Sequence, residues 1–225
     1  MTRELAFKRR PAASGKTTSV VLFLHGYGAD GADLLGLADP LGPHMRDTTF
    51  IAPDAPEPCA GNPMGYQWFP IPWLDGSSEA DMTAGAIRAA EDIDAFIDQV
   101  LEQEEITPDR LIVFGFSQGS MMALQVVPRR AGEIAGLVAF SGRVLDPESF
   151  GQGILSRPPV LLVHGDQDEM VPPGHFHEAG KALEAAGFDV YGHIMEGTGH
   201  GIAPDGLSVA LTFMAQRLGI DPEAR

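Results

Sequence analysis

The chain has 225 residues, enough for one well-packed domain and short for two. With 44% hydrophobic and 20% charged residues it has the composition of a soluble globular protein, and 27 Gly with 18 Pro stay below the low-complexity range. Acidic residues outnumber basic ones 31 to 15, and a net charge of -16 repels phosphate backbones and anionic membrane surfaces, so no nucleic acid partner is expected.

The N-terminal stretch MTRELAFKRRPAASG carries basic residues with no apolar segment behind them, and no run approaches the length of a membrane span. The expectation is a cytoplasmic protein without stable membrane insertion. A lone Cys59 cannot close an internal disulfide and is expected to be an inert thiol.

Short apolar runs alternate with helical patterns along the chain. SVVLFLH predicts a strand, a helix follows from about Asp30, and TTFIAP predicts a second strand. A 24-residue stretch from Pro53 to Gly76, rich in aromatics, reads as a long loop flanking a site. Ser78 and Asp81 open a long helix in a capping-box-like pattern, with Ile93, Phe96, Ile97, Val100 and Leu101 on its buried face.

RLIVFGFS is then a strand, a helix runs through Met121, Met122, Leu124 and Val127, and GLVAFS is another strand. PVLLVHG reads as a buried strand, His175 to Ala186 as a helix stopped by Gly187, and FDVYGHIME as a less regular strand. A final helix turns Leu207, Ala210, Leu211, Met214 and Leu218 inward. This order predicts an α/β fold, a mostly parallel doubly wound sheet with helices on both faces, in one domain over residues 1–225. Only 17 residues, Gly142 to Pro158, connect two strands, too few for a helical cap, so the site is expected to be open.

Two stretches have phosphate-binding patterns. Gly15, Lys16 and Thr17 match the end of a Walker A loop, but Arg10 occupies its first glycine position and the motif precedes a strand, which fits a solvated turn. Gly26, Gly28 and Gly31 fit G-x-G-x-x-G after a strand, with Asp54 lying 23 residues beyond Gly31, as a dinucleotide site requires. Bulky His25 and Tyr27 and the Pro-rich PDAPEP segment weigh against that reading.

The segment LIVFGFSQGSMMAL carries Gly115, Phe116, Ser117, Gln118 and Gly119, a G-x-S-x-G between a strand and a helix. A serine there occupies a tight, strained turn in which flanking side chains would collide with backbone. The turn exposes its hydroxyl and aims the Gln118 N–H and the helix N-terminus at a developing oxyanion. A base and a carboxylate should follow in the order Ser, Asp, His. The loop DQDEMVPPG offers Asp166, Asp168 and Glu169, and GTGHGIAPD presents His200 between glycines; spacing alone does not separate Asp166 from Asp168, and Asp146 is a third candidate. His25 and His164 fit turn-stabilising roles, and the His175, His177 pair lies at a helix start where alternate residues diverge, so no metal site is expected.

Taken together, GFSQG, HGDQDEMVP, GHG and LHGYGAD resemble the carboxylesterase and acyl-protein thioesterase (phospholipase/carboxylesterase) family of α/β-hydrolases, over roughly His25 to Pro204. The resemblance implies an uncapped α/β-hydrolase fold, with Asp168 as the acid of an HG-x-x-D-x-x-VP pattern and Asp166 as a loop-stabilising acceptor. It makes the N–H of Tyr27 the second oxyanion donor, so that GYGADG is half of an oxyanion hole rather than a phosphate cradle. It also implies an acyl groove lined by Trp68 and Phe69, to which Met64, Tyr66, Ile71 and Trp73 of the same loop are further candidates.

Cleavage of short-to-medium acyl esters, thioesters or lysophospholipids without metal or organic cofactor is the implied activity, with Ser117, His200 and Asp168 as the triad. An amidase or peptidase could use the same residues, and a non-catalytic or nucleotide-binding protein could keep the same frame. The partner expected is a small acyl ester or thioester, with homodimer formation left open.

Overall fold

A computed structural model describes residues 2–221. In chain order its elements are β1 (Phe7–Arg10), β2 (Ser19–Leu24), α1 (Gly31–Leu35), α2 (Ala38–Leu41), β3 (Thr48–Pro53), β4 (Glu57–Cys59), β5 (Asn62–Gln67), α3 (Pro72–Asp75), α4 (Glu79–Gln103), β6 (Leu111–Phe116), α5 (Gln118–Val126), β7 (Gly136–Phe140), β8 (Val160–Gly165), α6 (Gly174–Ala185), β9 (Val190–Met195) and α7 (Pro204–Leu218). Seven strands form one sheet in the order β1-β3-β2-β6-β7-β8-β9, and β4 pairs with β5 in a separate hairpin. Every neighbour in the large sheet is parallel except β1, which runs antiparallel to β3.

The parallel strands are apolar along their whole length because both faces are covered. All six residues of β2 are buried. Val20, Leu22 and Leu24 face a core completed by Ile93, Phe96 and Ile97 of α4, Leu124 of α5 and Leu183 of α6. Val21 and Phe23 face the opposite core, with Leu34 of α1, Leu41 of α2 and Met214 of α7. Such period-2 side-chain alternation lets one short strand serve two layers.

The α4 helix starts where the sequence predicts: Ser78 Oγ accepts from the Asp81 N–H and the Asp81 carboxylate accepts from the Ser78 N–H. At the start of α1, Asp30 caps through the Asp33 N–H. Gly187, at φ 86, stops α6 close to the predicted position. Residues 13–15 form an exposed turn, as expected for the Walker-like segment.

Two elements depart from the sequence reading. β1 was not predicted, because FKRR has no apolar alternation; it is an exposed edge strand held by main-chain pairing to β3 and by Arg9 to Glu104 and Arg10 to Asp39 ion pairs. The stretch from Pro53 to Gly76 is no plain loop, since it contains β4, β5 and α3. The hairpin is pinned to the turn after β2, where the Gly28 N–H donates to Tyr66 O and the Tyr66 N–H donates to Ala29 O, both at 2.8 Å. Between β7 and β8 there is neither helix nor strand, and no helix is long and apolar enough to cross a membrane among the described residues.

The winding reverses at β2. The chain crosses from β2 out to β3, then returns past β2 to β6. The turns leaving β2 and β6 therefore head to opposite faces and open a crevice at the carboxyl ends of adjacent strands, where sites of such sheets form.

Candidate active site

Ser117 is the single residue between β6 and α5, at φ 52 and ψ -116. A residue with a Cβ rarely holds a positive φ, and this strain is maintained by packing on all sides. A side chain on Gly115 would overlap the backbone of Ser120, and one on Gly119 would overlap the Leu24 carbonyl. The Ser117 N–H donates to Phe140 O at 2.9 Å, and Ser120 Oγ donates to the same carbonyl at 2.7 Å, so β7 holds the turn from behind.

His200 reaches the serine from the loop after β9. Ser117 Oγ–H donates to His200 Nε2 at 2.9 Å, and the opposite ring nitrogen, as Nδ1–H, donates to Asp168 Oδ2 at 2.8 Å. The second oxygen of Asp168 accepts the N–H groups of Met170 at 3.0 Å and Val171 at 2.8 Å. Burial works to raise the Asp168 carboxyl, but the Val171 N–H and the His200 ring outweigh it and hold the group below its ordinary value. An ionised, anchored carboxylate fixes the imidazole tautomer that leaves Nε2 free to accept a proton.

The structure separates the three candidate carboxylates. Asp166 is exposed, and its Oδ1 accepts the Thr198 N–H at 3.3 Å, steadying the loop that carries His200. Asp146 accepts from the N–H and hydroxyl of Ser149. Asp168 is the one joined to His200. Gly165 allows this convergence, because a side chain there would overlap the Thr198 and Gly199 carbonyls.

The two other buried histidines brace turns. His25 Nδ1–H donates to Gly26 O at 2.7 Å while its Nε2 accepts the Ala55 N–H at 2.9 Å, and burial lowers its pKa below the ordinary value. His164 Nε2–H donates to Val171 O at 2.8 Å, closing the loop around Asp168, and burial lowers this pKa as well. His175 Nδ1 pairs with Glu178 at 3.0 Å. No group of three or more residues suited to a metal ion occurs among the described residues.

Tyr27 follows Gly26 in the turn after β2, and that turn packs directly on the elbow: a Cβ on Gly26 would lie 3.2 Å from the Phe116 ring and 3.3 Å from Ser117 Cβ. Among the described residues, neither the Tyr27 N–H nor the Gln118 N–H donates to a protein acceptor. The Asp54 carboxylate that a dinucleotide would require for its ribose is spent on the turn itself, accepting the Gly31 N–H at 2.8 Å beside Lys8. Burial pushes the Tyr27 phenol up to about 12, so the ring stays neutral.

Trp68 and Phe69, expected to line a groove, are corrected by the structure. Trp68 is 0% exposed and Phe69 2%, and both lie in the core. Trp68 Nε1–H donates to His25 O at 2.9 Å, and the backbone of both residues is held by the side chain of Gln118. Sequence reasoning missed this side-chain role, having assigned Gln118 only its backbone N–H.

The apolar surface near the serine comes from other residues. Trp73, Met121, Arg143, Met170, Val171, Pro172 and His175 line a cleft of about 240 Å³. Its walls are α3, α5 and the segments following β7 and β8, at the same end of the sheet as Ser117. A larger hollow of about 430 Å³, lined by Thr18, Asp47 and Arg110, lies at the opposite end, where β2, β3 and β6 begin.

An elbow serine on a doubly wound sheet, with histidine and carboxylate supplied by later strand ends, defines the serine hydrolases of the α/β-hydrolase fold. The phospholipase/carboxylesterase family model matches residues 11–218, and the chain belongs to that family. It is 30% identical to acyl-protein thioesterase 1 of Saccharomyces cerevisiae, over 88% of this chain and 92% of the relative. It is 28% identical to esterase YpfH of Escherichia coli, over 87% of this chain and 81% of that one. Among solved structures it resembles esterase PE8 with a TM-score of 0.89 and 42% identity, covering 96% of this chain and 100% of the other. The acyl-protein thioesterase 2 of Zea mays superposes with a TM-score of 0.75 at 26% identity, over 95% and 99%.

Proposed function

We propose that this enzyme hydrolyses carboxylic esters and thioesters of short-to-medium acyl chains through an acyl-enzyme formed on Ser117. The observation that carries the reading is His200 bridging Ser117 Oγ and Asp168 Oδ2 at 2.9 and 2.8 Å. Ser117 Oγ attacks the carbonyl carbon as its proton passes to His200 Nε2, and the carbonyl electron pair moves onto oxygen. The imidazolium returns the proton to the departing alkoxide or thiolate as the tetrahedral adduct collapses. Water repeats the sequence on the acyl-serine, releasing the acid and restoring Ser117 with its proton.

The N–H groups of Tyr27 and Gln118 serve the oxyanion, each worth about 3 kcal/mol when preorganised. Asp168 stays ionised and steadies the imidazolium. The cleft of Trp73, Met121 and Met170 takes the acyl chain, in place of the groove first assigned to Trp68 and Phe69. No step in this mechanism needs a metal or organic cofactor. Lysophospholipids belong to the same substrate class, since they present an acyl ester on a polar leaving group, and the thioesterase relatives support thioesters.

A fluorophosphonate probe tests the reading. Stoichiometric attachment to Ser117, identified by peptide mass, and its loss in His200→Ala are expected. Labelling elsewhere, or none, would sink the assignment of Ser117.

A further inference from the structure

We propose that Arg143 is a specificity-determining residue that binds an anionic group of the substrate, a carboxylate or phosphate carried near the scissile bond. The inference rests on the reading of Ser117 as nucleophile and adds the charge of the substrate to it.

Arg143 follows a glycine that touches the elbow. A side chain on Gly142 would overlap Ser120 and would lie 3.4 Å from the Ser117 carbonyl, so the backbone leading into Arg143 runs against the nucleophile's own turn. Its side chain shares the cleft with Met121, whose N–H donates to Ser117 O at 3.1 Å. The other walls include the apolar side chains of Trp73, Met170, Val171 and Pro172. His175, across the cleft, is paired with Glu178.

Among the described residues the other cations whose side chains have no partner, Lys16, Arg46 and Lys181, are exposed, and Lys8 faces Asp30 and Asp54. Arg3, Arg9, Arg10, Arg88 and Arg130 are paired with carboxylates. Arg110, Arg129, Arg157 and Arg217 donate to main-chain carbonyls or a tyrosine hydroxyl. Arg143 is half-buried, yet among the described residues it has neither a carboxylate within ion-pair range nor a protein acceptor. In a chain of 31 acidic residues, a half-buried guanidinium kept free of them in this cleft has its planar fork of donors open for a ligand's oxygens. It also offsets locally the repulsion that the net charge of -16 exerts on any anion.

The charge could sit on the acyl chain or on the leaving group, and matched substrate pairs distinguish the two. One pair is the p-nitrophenyl half-ester of a dicarboxylic acid against the neutral p-nitrophenyl ester of equal length. The other is an O-acetyl hydroxy acid against its methyl ester. In one of the pairs, the anionic-to-neutral ratio of kcat/KM should fall about tenfold in Arg143→Gln and recover in part in Arg143→Lys. The wild-type ratio should fall with rising salt, an arm that holds even if Arg143→Gln does not fold. Arg46→Gln, which removes an exposed cation at the far end of the sheet, should keep the wild-type ratio. Ratios in Arg143→Gln equal to wild type in both pairs, or a wild-type ratio indifferent to salt, would overturn the role of Arg143 while leaving ester hydrolysis intact. A wild type that cleaves none of the four compounds would instead remove the underlying esterase reading, and this inference with it.

Discussion

The side-chain amide of Gln118 pairs with the backbone flanking the Trp68 to Phe69 peptide: Oε1 accepts the Trp68 N–H at 2.8 Å and Nε2 donates to Phe69 O at 2.7 Å. One residue thus presents its N–H beside Ser117 and clamps the hairpin segment across the crevice. Gln118→Met would keep the N–H and leave two buried backbone groups unpaired. Each unsatisfied group costs about 1–3 kcal/mol, so the variant should lose about 2–6 kcal/mol in urea unfolding. A loss below about 0.5 kcal/mol would show that the clamp carries no stability.

Asp168 and Asp166 share a loop and differ in what they hold. Asp168→Asn should lower kcat by about a thousandfold to ten-thousandfold, because the amide no longer enforces the productive imidazole tautomer. Asp166→Asn keeps an oxygen for the Thr198 N–H and should cost less than about tenfold. Steady-state kinetics on one ester for both variants decides it, and comparable losses would contradict the assignment.

Trp73 is 63% exposed and Trp68 fully buried, which predicts opposite consequences for two tryptophans five residues apart. Trp73→Ala should shift the acyl chain-length optimum with little effect on stability. Trp68→Phe loses the bond to His25 O, which is buried at both ends, and should lower stability by about 1–3 kcal/mol without moving the optimum. Chain-length profiles and melting curves of the two variants provide the comparison.

The crevice is legible in the sequence because its signals are local. An elbow needs glycines around its serine, and strands buried on both faces are apolar throughout, so the order of β2, β3 and β6 to β9 and the Ser, Asp, His sequence could be read directly. What was not legible depends on distant partners. FKRR becomes a strand only beside β3, and Trp68 enters the core only because Gln118 and His25, 50 and 43 residues away, accept its two N–H groups. An aromatic in a long connector carries no local mark of whether it lines a groove or fills a core. Spacing alone leaves Asp168 and Asp166 open; the family pattern points to Asp168, and it is Asp168 that meets the His200 loop.

Acidification should destabilise the fold in a defined direction. Burial holds His25 and His164 below their ordinary pKa, so below about pH 6.5 the unfolded chain binds protons that the folded chain refuses. Asp168 is also lowered, and its contribution, present above the ordinary carboxylate pKa, is lost as pH falls through its folded value. Both effects have the same sign: Tm should fall from pH 8 to pH 5 and fall further through the carboxylate range. A Tm that rises from pH 8 to pH 5 would contradict the neutral, buried state of the two histidines.

The central claim is that Ser117 is the nucleophile of an ester hydrolase, and the most direct test is hydrolysis of p-nitrophenyl esters from acetate to decanoate near pH 8 by the wild type and Ser117→Ala. Measurable wild-type turnover that falls at least about a thousandfold in the variant is the predicted result. Equal rates in the two proteins, or no turnover by the wild type on any chain length, would contradict it.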